Sequence, residues 1–396
     1  MQEINNLNIK LMMKKLIKSI LFTTFFIAIS SCTGKNHYAD DIIHLDVSKA
    51  YPVKIISLED VADIKYVQME VHDDYLFMPS TIKMMHVSSS TIMIHDYYST
   101  HDFLFFTGDG KPKSKFNHFG LGPEEYSYVT SSIYDVDKDE LFVLSDNKMS
   151  VYSSTGKHYY SIDLPAENSF VLRKSSIALY DKESLLIYYE NNAYNKNFVR
   201  ISRKDASVIE EIDVPNHKDI MLYARSQSGM RVNVRGAPTH NIVKYKDGFL
   251  LTDHSLDTVF FYGRNNELSP VLVRTPSIFD MDPYVFINSF VEAGNYLFLN
   301  RVTVNIDMPT DYLIINKKDH SVYMPKILMK DYKGKDINLS PENINSTAHS
   351  GTGFIELSIE ELKEAYEDNK LSGKLKEMVK SSDDESNNIY MILKFK

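Results

Sequence analysis

The sequence predicts an all-β protein: a six-bladed β-propeller in which the N- and C-terminal strands of the chain share one blade. Three observations support this prediction. A compact unit of four short strands occurs once in clear form, weaker copies of it recur along the chain, and a strand-like run at the C-terminus lacks a local partner. Repetition of a four-stranded unit is the sequence signature of a propeller.

The clearest unit spans residues 133–164. Four runs rich in Val, Ile, Leu, Phe and Tyr alternate with turns rich in Asp, Asn, Ser and Gly: Ile133–Val136, Leu141–Leu144, Met149–Tyr152 and Tyr159–Leu164. Short runs of these residues bounded by turn formers are typical of antiparallel strands. Four strands in about 32 residues match the size of one propeller blade.

A strand that runs into a Gly-Lys turn recurs along the chain. Gly110-Lys111 and Gly156-Lys157 each follow such a strand, and glycine suits a hairpin turn that needs a positive φ. Weaker copies follow at intervals of about 46 to 60 residues. They end at Lys204-Asp205, Asn265-Asn266 and Lys318-Asp319.

These copies account for about five blades and leave strands at both ends of the chain. Pairing the N-terminal strands with the C-terminal run Ile389–Phe395 would complete a sixth blade and remove exposed sheet edges. Two insertions interrupt the pattern, one at 216–240 and one at about 330–385. The second contains a predicted helix from Ile359 to about Lys380, with Ser358 and Glu361 as a capping box and Gly373 as a potential break.

Composition excludes some functions. The chain has 396 residues, a formal net charge of −9 and a pI of about 5.8, and no basic cluster marks a nucleic-acid surface. Tryptophan is absent, which disfavours a WD-type propeller. Cys32 is the single cysteine, so an intrachain disulfide is impossible.

Residues 1–32 are predicted to be a lipoprotein signal peptide. A basic start precedes the apolar stretch Leu16–Ile29, which is shorter than the roughly 20 residues of a membrane-spanning helix. Small residues in Ile29-Ser30-Ser31 then precede Cys32, which resembles a bacterial lipobox. A simple secretory signal with a buried cysteine is the alternative. Translation is expected to start at Met12 or Met13, which makes residues 1–12 an N-terminal overrun.

The remaining chain is predicted to form a tether at 33–45 and a single propeller domain at 46–396. A lipid on Cys32 would make the membrane a partner and would place the chain in the cell envelope, at the outer membrane. Asp40 and Asp41 come late after the cysteine, so the sequence leaves periplasmic and surface-facing placements open.

Three segments resemble the six-bladed β-propeller lipoproteins of Bacteroidetes, which are largely of unknown function. They are Phe119-Gly120-Leu121-Gly122-Pro123-Glu124-Glu125-Tyr126, Asp257-Thr258-Val259-Phe260 and Asp383–Lys396. The resemblance covers the chain from about Asp46 onward. It implies the fold and supplies no activity, and His118 and the poor later Gly-Lys turns depart from the family pattern.

Candidate ligand-binding residues are expected where connections between blades meet the central channel. Glu124 and Glu125 lie in one such connection, where they either face a ligand or hold their own loop. A longer connection, 216–240, contributes four basic candidate residues: Arg225, Arg231, Arg235 and His240. Converging guanidinium groups would suit a carboxylate, sulfate or phosphate, and a solvated loop with local ion pairs is the alternative.

No metal site, cofactor or catalytic set is predicted. Asp135, Asp137 and Asp139 imitate the start of a calcium loop, but Glu140 replaces the glycine that such a loop needs, which favours a solvated turn. The dipeptides His95-Asp96 and His101-Asp102 fall on a strand and a turn rather than on the helices used by metal phosphohydrolases.

The sequence therefore favours a lipid-anchored binding or scaffold module for a glycan, a peptide or a partner protein of the envelope. A hydrolase or lyase with its site at the channel mouth is the alternative. An assembly subunit that docks through Ile359–Lys380 is a third hypothesis.

Overall fold

The computed structural model describes residues 42–77, 82–145, 148–164, 175–189, 196–215, 223–225, 229–233, 241–339, 351–383 and 386–396. Ile43–Lys396 forms one compact unit, the second unit of the chain, and contains every strand and helix described below. Cys32 and the predicted signal peptide lie outside the described residues. Within the described residues, no helix has both the length and the apolar character needed to cross a bilayer.

Three strands and a one-turn helix open the second unit. They are β1 (Ile43–Asp46), β2 (Val53–Ser57), α1 (Leu58–Val61) and β3 (Ala62–Gln68). β1 lies at the end of the segment predicted as a tether. The three strands join three different sheets, as described below.

The first three blades are four-stranded antiparallel sheets whose strands follow chain order. Blade 1 contains β4 (Ile82–Val87), β5 (Thr91–Asp96), β6 (Phe103–Thr107) and β7 (Pro112–Phe116). Blade 2 contains β8 (Val129–Asp135), β9 (Glu140–Ser145), β10 (Lys148–Tyr152) and β11 (His158–Asp163). Blade 3 contains β12 (Ser175–Leu179), β13 (Ser184–Tyr189), β14 (Phe198–Ser202) and β15 (Val208–Ile212).

A two-stranded hairpin, β16 (Tyr223–Arg225) and β17 (Arg231–Asn233), separates blade 3 from blade 4. Blade 4 contains β18 (Ile242–Tyr245), β19 (Gly248–Leu251), β20 (Thr258–Tyr262) and β21 (Leu268–Thr275). Blade 5 contains β22 (Val285–Ala293), β23 (Tyr296–Thr303), β24 (Thr310–Asn316) and β25 (Val322–Leu328). Short 3-10 turns occur at Asp73–Tyr75 and Ile278–Asp280.

Blade 6 joins the two ends of the chain. Among the described residues it contains β26 (Thr352–Leu357), β27 (Ile389–Phe395) and β3. β27 pairs antiparallel with β3 from Ile389 opposite Gln68 to Phe395 opposite Ala62. The predicted closure of a six-bladed propeller by N- and C-terminal strands is confirmed.

The other two N-terminal strands extend neighbouring blades. β1 pairs in parallel with β21 at the outer edge of blade 4, and β2 pairs in parallel with β25 at the outer edge of blade 5. The N-terminal segment therefore crosses three successive blades and covers two outer strands that would otherwise be exposed edges.

Burial follows position within each blade. β5 is buried at every position, whereas the outer strand β7 alternates between partly buried and exposed side chains before it ends at the buried Phe116. A middle strand packs on two neighbouring blades and is apolar on both faces, and an outer strand keeps one face in water.

Six apolar clusters of the described residues lie at the six interfaces between blades. Each joins side chains from adjacent blades: Phe103 with Tyr152, Phe142 with Leu185, Tyr188 with Phe249, Leu250 with Leu297, Phe298 with Ile389, and Tyr390 with Met85. The last cluster lies between blade 6 and blade 1. Packing is therefore continuous around the ring.

Two short helices, rather than one long helix, precede the last strand. α2 (Ile359–Glu367) begins at Ser358, whose Oγ accepts a hydrogen bond from the Glu361 N–H at 3.5 Å, and α3 (Gly373–Ser381) begins at a glycine with φ of 54°. The helices bury Leu362 and Leu375 against blades 5 and 6. Asn369, two residues after α2 ends, also has a positive φ, of 53°, and positive φ values at residues 369 and 373 are incompatible with one continuous α-helix.

The last turn of five blades uses one backbone conformation. The residue with positive φ in these turns is Gly110, Gly156, Ala206, Asn266 or His320. The predicted Gly-Lys repeat marks this position in blades 1 and 2. In blades 3 to 5 a non-glycine residue occupies the same left-handed conformation, which hides the repeat from inspection of the sequence.

Candidate ligand-binding face

Topology defines one face of the ring. Because the strands of a blade alternate in direction, the connections between blades lie on the same side as the turns between second and third strands. This side is called the channel face. β3 leads into blade 1 and so ends at the channel face, and its antiparallel partner β27 begins there. The connection that carries α2 and α3 therefore also lies on the channel face.

Glu125 holds the connection from blade 1 to blade 2 together. Its Oε2 accepts a hydrogen bond from the Gly122 N–H at 2.7 Å, and a Cβ on Gly120 would overlap the same carboxylate. Lys148 Nζ donates to the carbonyl oxygens of Gly122 at 3.2 Å and of Pro123 at 3.4 Å. The glycines of this motif thus make room for a carboxylate that is turned into its own loop.

Glu124 has a different environment. Its side chain is 68% exposed, and Oε1 lies 3.8 Å from Nδ1 of His158. Its backbone carbonyl accepts a hydrogen bond from the Tyr152 hydroxyl at 2.9 Å. The backbone of Glu124 is fixed while its carboxylate faces water, so a ligand contact by Glu124 stays a prediction.

Two of the four basic candidate residues lie within the described residues. Arg225 and Arg231 are cross-strand partners in the β16–β17 hairpin, which belongs to the connection from blade 3 to blade 4 on the channel face. Arg235 and His240 lie outside the described residues. The prediction that these residues meet an anion is untested.

The carboxylates of the Asp135 turn bind groups of the protein itself. Asp135 Oδ1 accepts hydrogen bonds from the Asp137 and Lys138 N–H groups at 3.2 and 3.3 Å, and Oδ2 lies 2.8 Å from Arg203 Nη2. Asp139 Oδ1 accepts from the Ser154 N–H at 2.8 Å. In the part of the chain that the structure describes, no group of three His, Cys, Asp or Glu side chains could hold a metal ion.

An exposed aromatic cluster on the channel face was not predicted. It consists of five rings from the second-to-third strand turn of blade 1 and from the connection to blade 2: Tyr97, Tyr98, His101, Phe119 and Tyr128. His101 stacks on Phe119 with centroids 3.8 Å apart, Phe119 meets Tyr128 at 6.0 Å, and Tyr128 meets Tyr97 at 6.4 Å. Tyr98 packs edge-on against Tyr97 at 4.6 Å.

Much of the aromatic cluster faces water. Tyr98 is 68% exposed, Tyr128 is 56% exposed and Phe119 is 40% exposed, and the neighbouring Leu121 is 93% exposed. Tyr128 directly precedes β8, the first strand of blade 2, and the first strands of neighbouring blades line the centre of the ring. A contiguous exposed apolar patch of this kind marks an interaction site more often than an isolated exposed side chain does.

A buried aromatic layer supports the cluster. Tyr97 packs edge-on against His95, which stacks on Phe103 at 4.3 Å. Tyr126 is fully buried beside them, and its hydroxyl donates to the His101 carbonyl at 2.8 Å. Burial raises the pKa of Tyr126 well above its ordinary value, so the phenol stays a hydrogen-bond donor. The exposed rings therefore rest on a rigid base.

Known proteins are similar to this chain over most of its length. The family model described as a domain of unknown function (DUF4934) matches residues 42–394. A putative exported protein, BF0058, from Bacteroides fragilis NCTC 9343 is 16% identical with a TM-score of 0.58, over 90% of this chain and 99% of that chain. A member of the duf4221 family from Bacteroides vulgatus ATCC 8482 is 9% identical with a TM-score of 0.47, over 85% and 99% of the two chains. No curated protein matches the chain.

Proposed function

We propose that this chain, which belongs to the DUF4934 family, is a binding module of the cell envelope that recognises its ligand or partner through the channel face. The aromatic cluster Tyr97, Tyr98, His101, Phe119 and Tyr128 is the observation that carries the proposal. Its location agrees with the general use of the channel opening as a binding surface in propellers, which is an analogy of fold.

Free energy supports a binding role. When a ligand covers an exposed tyrosine or phenylalanine face, water is released from that face. The free energy gained is roughly 25 cal/mol for each Å² of apolar surface buried. Tyr98 and Tyr128 both pack against Tyr97, which packs on the buried His95, and these contacts reduce the side-chain entropy that is lost when a ligand binds. Rigid aromatic side chains at the centre of a surface are the residues that most often dominate affinity.

The envelope location belongs to the same proposal. Cys32 is the proposed lipid attachment site, and residues between it and β1 would tether the propeller to the membrane. The description of the Bacteroides fragilis relative as an exported protein supports export of this chain. Metabolic labelling with a palmitate analogue tests the anchor. We expect label on the wild-type chain and none on Cys32→Ser, and equal labelling of both would contradict it.

Retention of an envelope component tests the binding function. The full chain is purified in detergent and immobilised. It is then incubated with envelope extract from cells that lack this protein, and the bound carbohydrate and bound protein are measured. We expect wild type to retain a component that Tyr98→Ala/Tyr128→Ala does not retain. Tyr159→Ala is the matched control, because Tyr159 is an exposed tyrosine near the start of β11, away from the aromatic cluster. Equal retention by all three proteins would contradict the proposal.

A further inference from the structure

We infer that the aromatic cluster takes a neutral glycan, whose sugar rings stack on Tyr98 and Tyr128. This inference rests on the proposed function and specifies its ligand. It is carried by three properties of the two loops that build the cluster: the ring faces they expose, the charges they carry, and the hydrogen bonds their backbone already makes.

Exposed ring faces suit sugars. The π face of an aromatic ring carries partial negative charge, and the C–H groups on one side of a pyranose ring carry partial positive charge. A sugar therefore stacks on such a face while its hydroxyl groups stay in water at the edge. Tyr98 and Tyr128 are the most exposed rings of the cluster, and each also offers a phenol hydroxyl at its rim.

The charges around the cluster disfavour an acidic ligand. The loops at 97–102 and 117–128 contain Asp102, Glu124 and Glu125 and contain neither lysine nor arginine. Lys148 reaches the second loop, but its ammonium group donates to backbone carbonyl oxygens of that loop. The exposed carboxylate of Glu124 would repel a uronic acid or sulfate group at this loop, whereas it does not repel a neutral sugar.

The backbone of the two loops disfavours an extended peptide. Peptide recognition by strand addition depends on free main-chain donors and acceptors. Here the N–H groups of Gly120 and Tyr126 donate to the carbonyls of Tyr126 and His118 at 2.9 Å each. The N–H groups of His101 and Phe119 donate to the Asp96 carbonyl and to Asn117 Oδ1, both at 2.8 Å. These four N–H groups are therefore not open to strand addition by a peptide, which favours recognition through side-chain faces.

Affinity electrophoresis tests this inference on the full chain in detergent. The native gel contains a soluble galactomannan as the neutral probe or polygalacturonate as the acidic probe, and a proline-rich peptide is titrated separately. The variants are Tyr98→Ala/Tyr128→Ala, Tyr98→Phe/Tyr128→Phe and the control Tyr159→Ala. Equal thermal unfolding temperatures show that each variant is folded.

The neutral polymer should retard wild type and Tyr159→Ala, and the phenylalanine pair should keep most of this retardation because its ring faces are intact. The alanine pair should lose at least about tenfold in affinity, which corresponds to the loss of two stacking contacts. Preferred binding of polygalacturonate or of the peptide, lost in the alanine pair, would overturn the glycan inference and leave the proposed binding function standing. The inference would also be overturned if the alanine pair bound galactomannan as well as wild type does, or if wild type did not bind galactomannan. In either case the envelope-retention experiment tests the proposed function separately.

Discussion

Gly156 in the last turn of blade 2 lies directly against Phe116 at the end of blade 1. A Cβ on Gly156 would overlap the Cβ of Phe116 and lie 2.7 Å from its ring carbon Cγ. Gly110 occupies the same place in blade 1, where a Cβ would lie 2.5 Å from the carbonyl oxygen of Gln68 in blade 6. The glycine of the Gly-Lys turn thus serves the interface between blades as well as the turn.

Gly156→Ala should be clearly more destabilising than Gly334→Ala. Both glycines have φ of +82°, which costs alanine about 1 kcal/mol. Gly334 has open space around it, so its substitution bears only this cost. Gly156→Ala must also displace Phe116, which adds roughly 1–3 kcal/mol. Urea unfolding of the two variants measures the difference, and equal free energies of unfolding would contradict the packing role.

The sequence predicts the fold well because turn and strand residues of the first blades can be recognised locally in the sequence. Gly110 and Gly156 are visible as turn glycines, and Ile389–Phe395 is visible as a strand without a partner. The pairing of β1 with blade 4 and of β2 with blade 5 was not predicted, because a parallel partner more than 200 residues away leaves no local signal. The left-handed turns at Ala206 and His320 were hidden by their side chains.

The ion pairs of Arg203 should contribute several times more to the free energy of unfolding than an exposed ion pair does. It is buried, stacks on Phe142 at 4.9 Å, and lies 2.8 Å from Asp135 and 2.5 Å from Glu140. Arg203→Met leaves two carboxylates without their cation and should cost about 3 kcal/mol.

The matched control for that change is Lys196→Met. Lys196 Nζ lies 2.6 Å from Asp213 Oδ1, but both side chains are exposed, so the loss should stay below about 1 kcal/mol. Denaturant unfolding measures both variants. A similar cost for the two substitutions would show that the Arg203 pair does not hold blades 2 and 3 together.

His86 should make the protein less stable as pH falls. His86 is partly buried between blades 1 and 2, and the resulting loss of hydration lowers its pKa from 6.5 to about 4, while its Nε2–H donates to the Ser132 carbonyl at 3.0 Å. Between pH 6.5 and pH 4 the unfolded chain binds a proton that the folded chain does not bind. The stability from neutral His86 is therefore present above pH 6.5 and is lost as pH falls towards 4, by up to about 1.4 kcal/mol per pH unit.

His86→Gln keeps a donor for Ser132 and removes the titration. The free energy of unfolding of wild type should fall more steeply than that of His86→Gln between pH 7 and pH 4, measured by urea unfolding at each pH. His44→Gln, at an exposed position, is the control. Parallel pH profiles for wild type and His86→Gln would exclude a lowered pKa of His86 in the folded protein.

Substitution of Glu125 should lower stability, whereas substitution of Glu124 should leave stability almost unchanged. Glu125→Ala removes the acceptor of the Gly122 N–H and should cost about 1–2 kcal/mol, measured by thermal or denaturant unfolding. Glu124→Ala removes an exposed carboxylate and should change stability by less than about 0.5 kcal/mol. If Glu124 contacts a ligand, its substitution alters binding at unchanged stability. A larger stability loss at Glu124 than at Glu125 would reverse the two roles.

The candidate site was less predictable than the fold. Glu124 and Glu125 were placed on the correct connection, but the inward turn of Glu125 depends on the conformation of Gly120 and Gly122. The aromatic cluster joins Tyr97 and Tyr98 to Phe119 and Tyr128 from two separate loops. Single aromatic residues in turns resemble the strand residues of the same chain, so only the tertiary structure brings them together.

Hydroxyl-radical footprinting of the full chain, with and without envelope extract, tests the central claim most directly. Oxidation of Tyr98 and Tyr128, read by mass spectrometry, should fall several-fold when the extract is present, while oxidation of exposed Tyr159 should stay constant. Unchanged oxidation of Tyr98 and Tyr128, or protection confined to Tyr159, would contradict binding through the channel face.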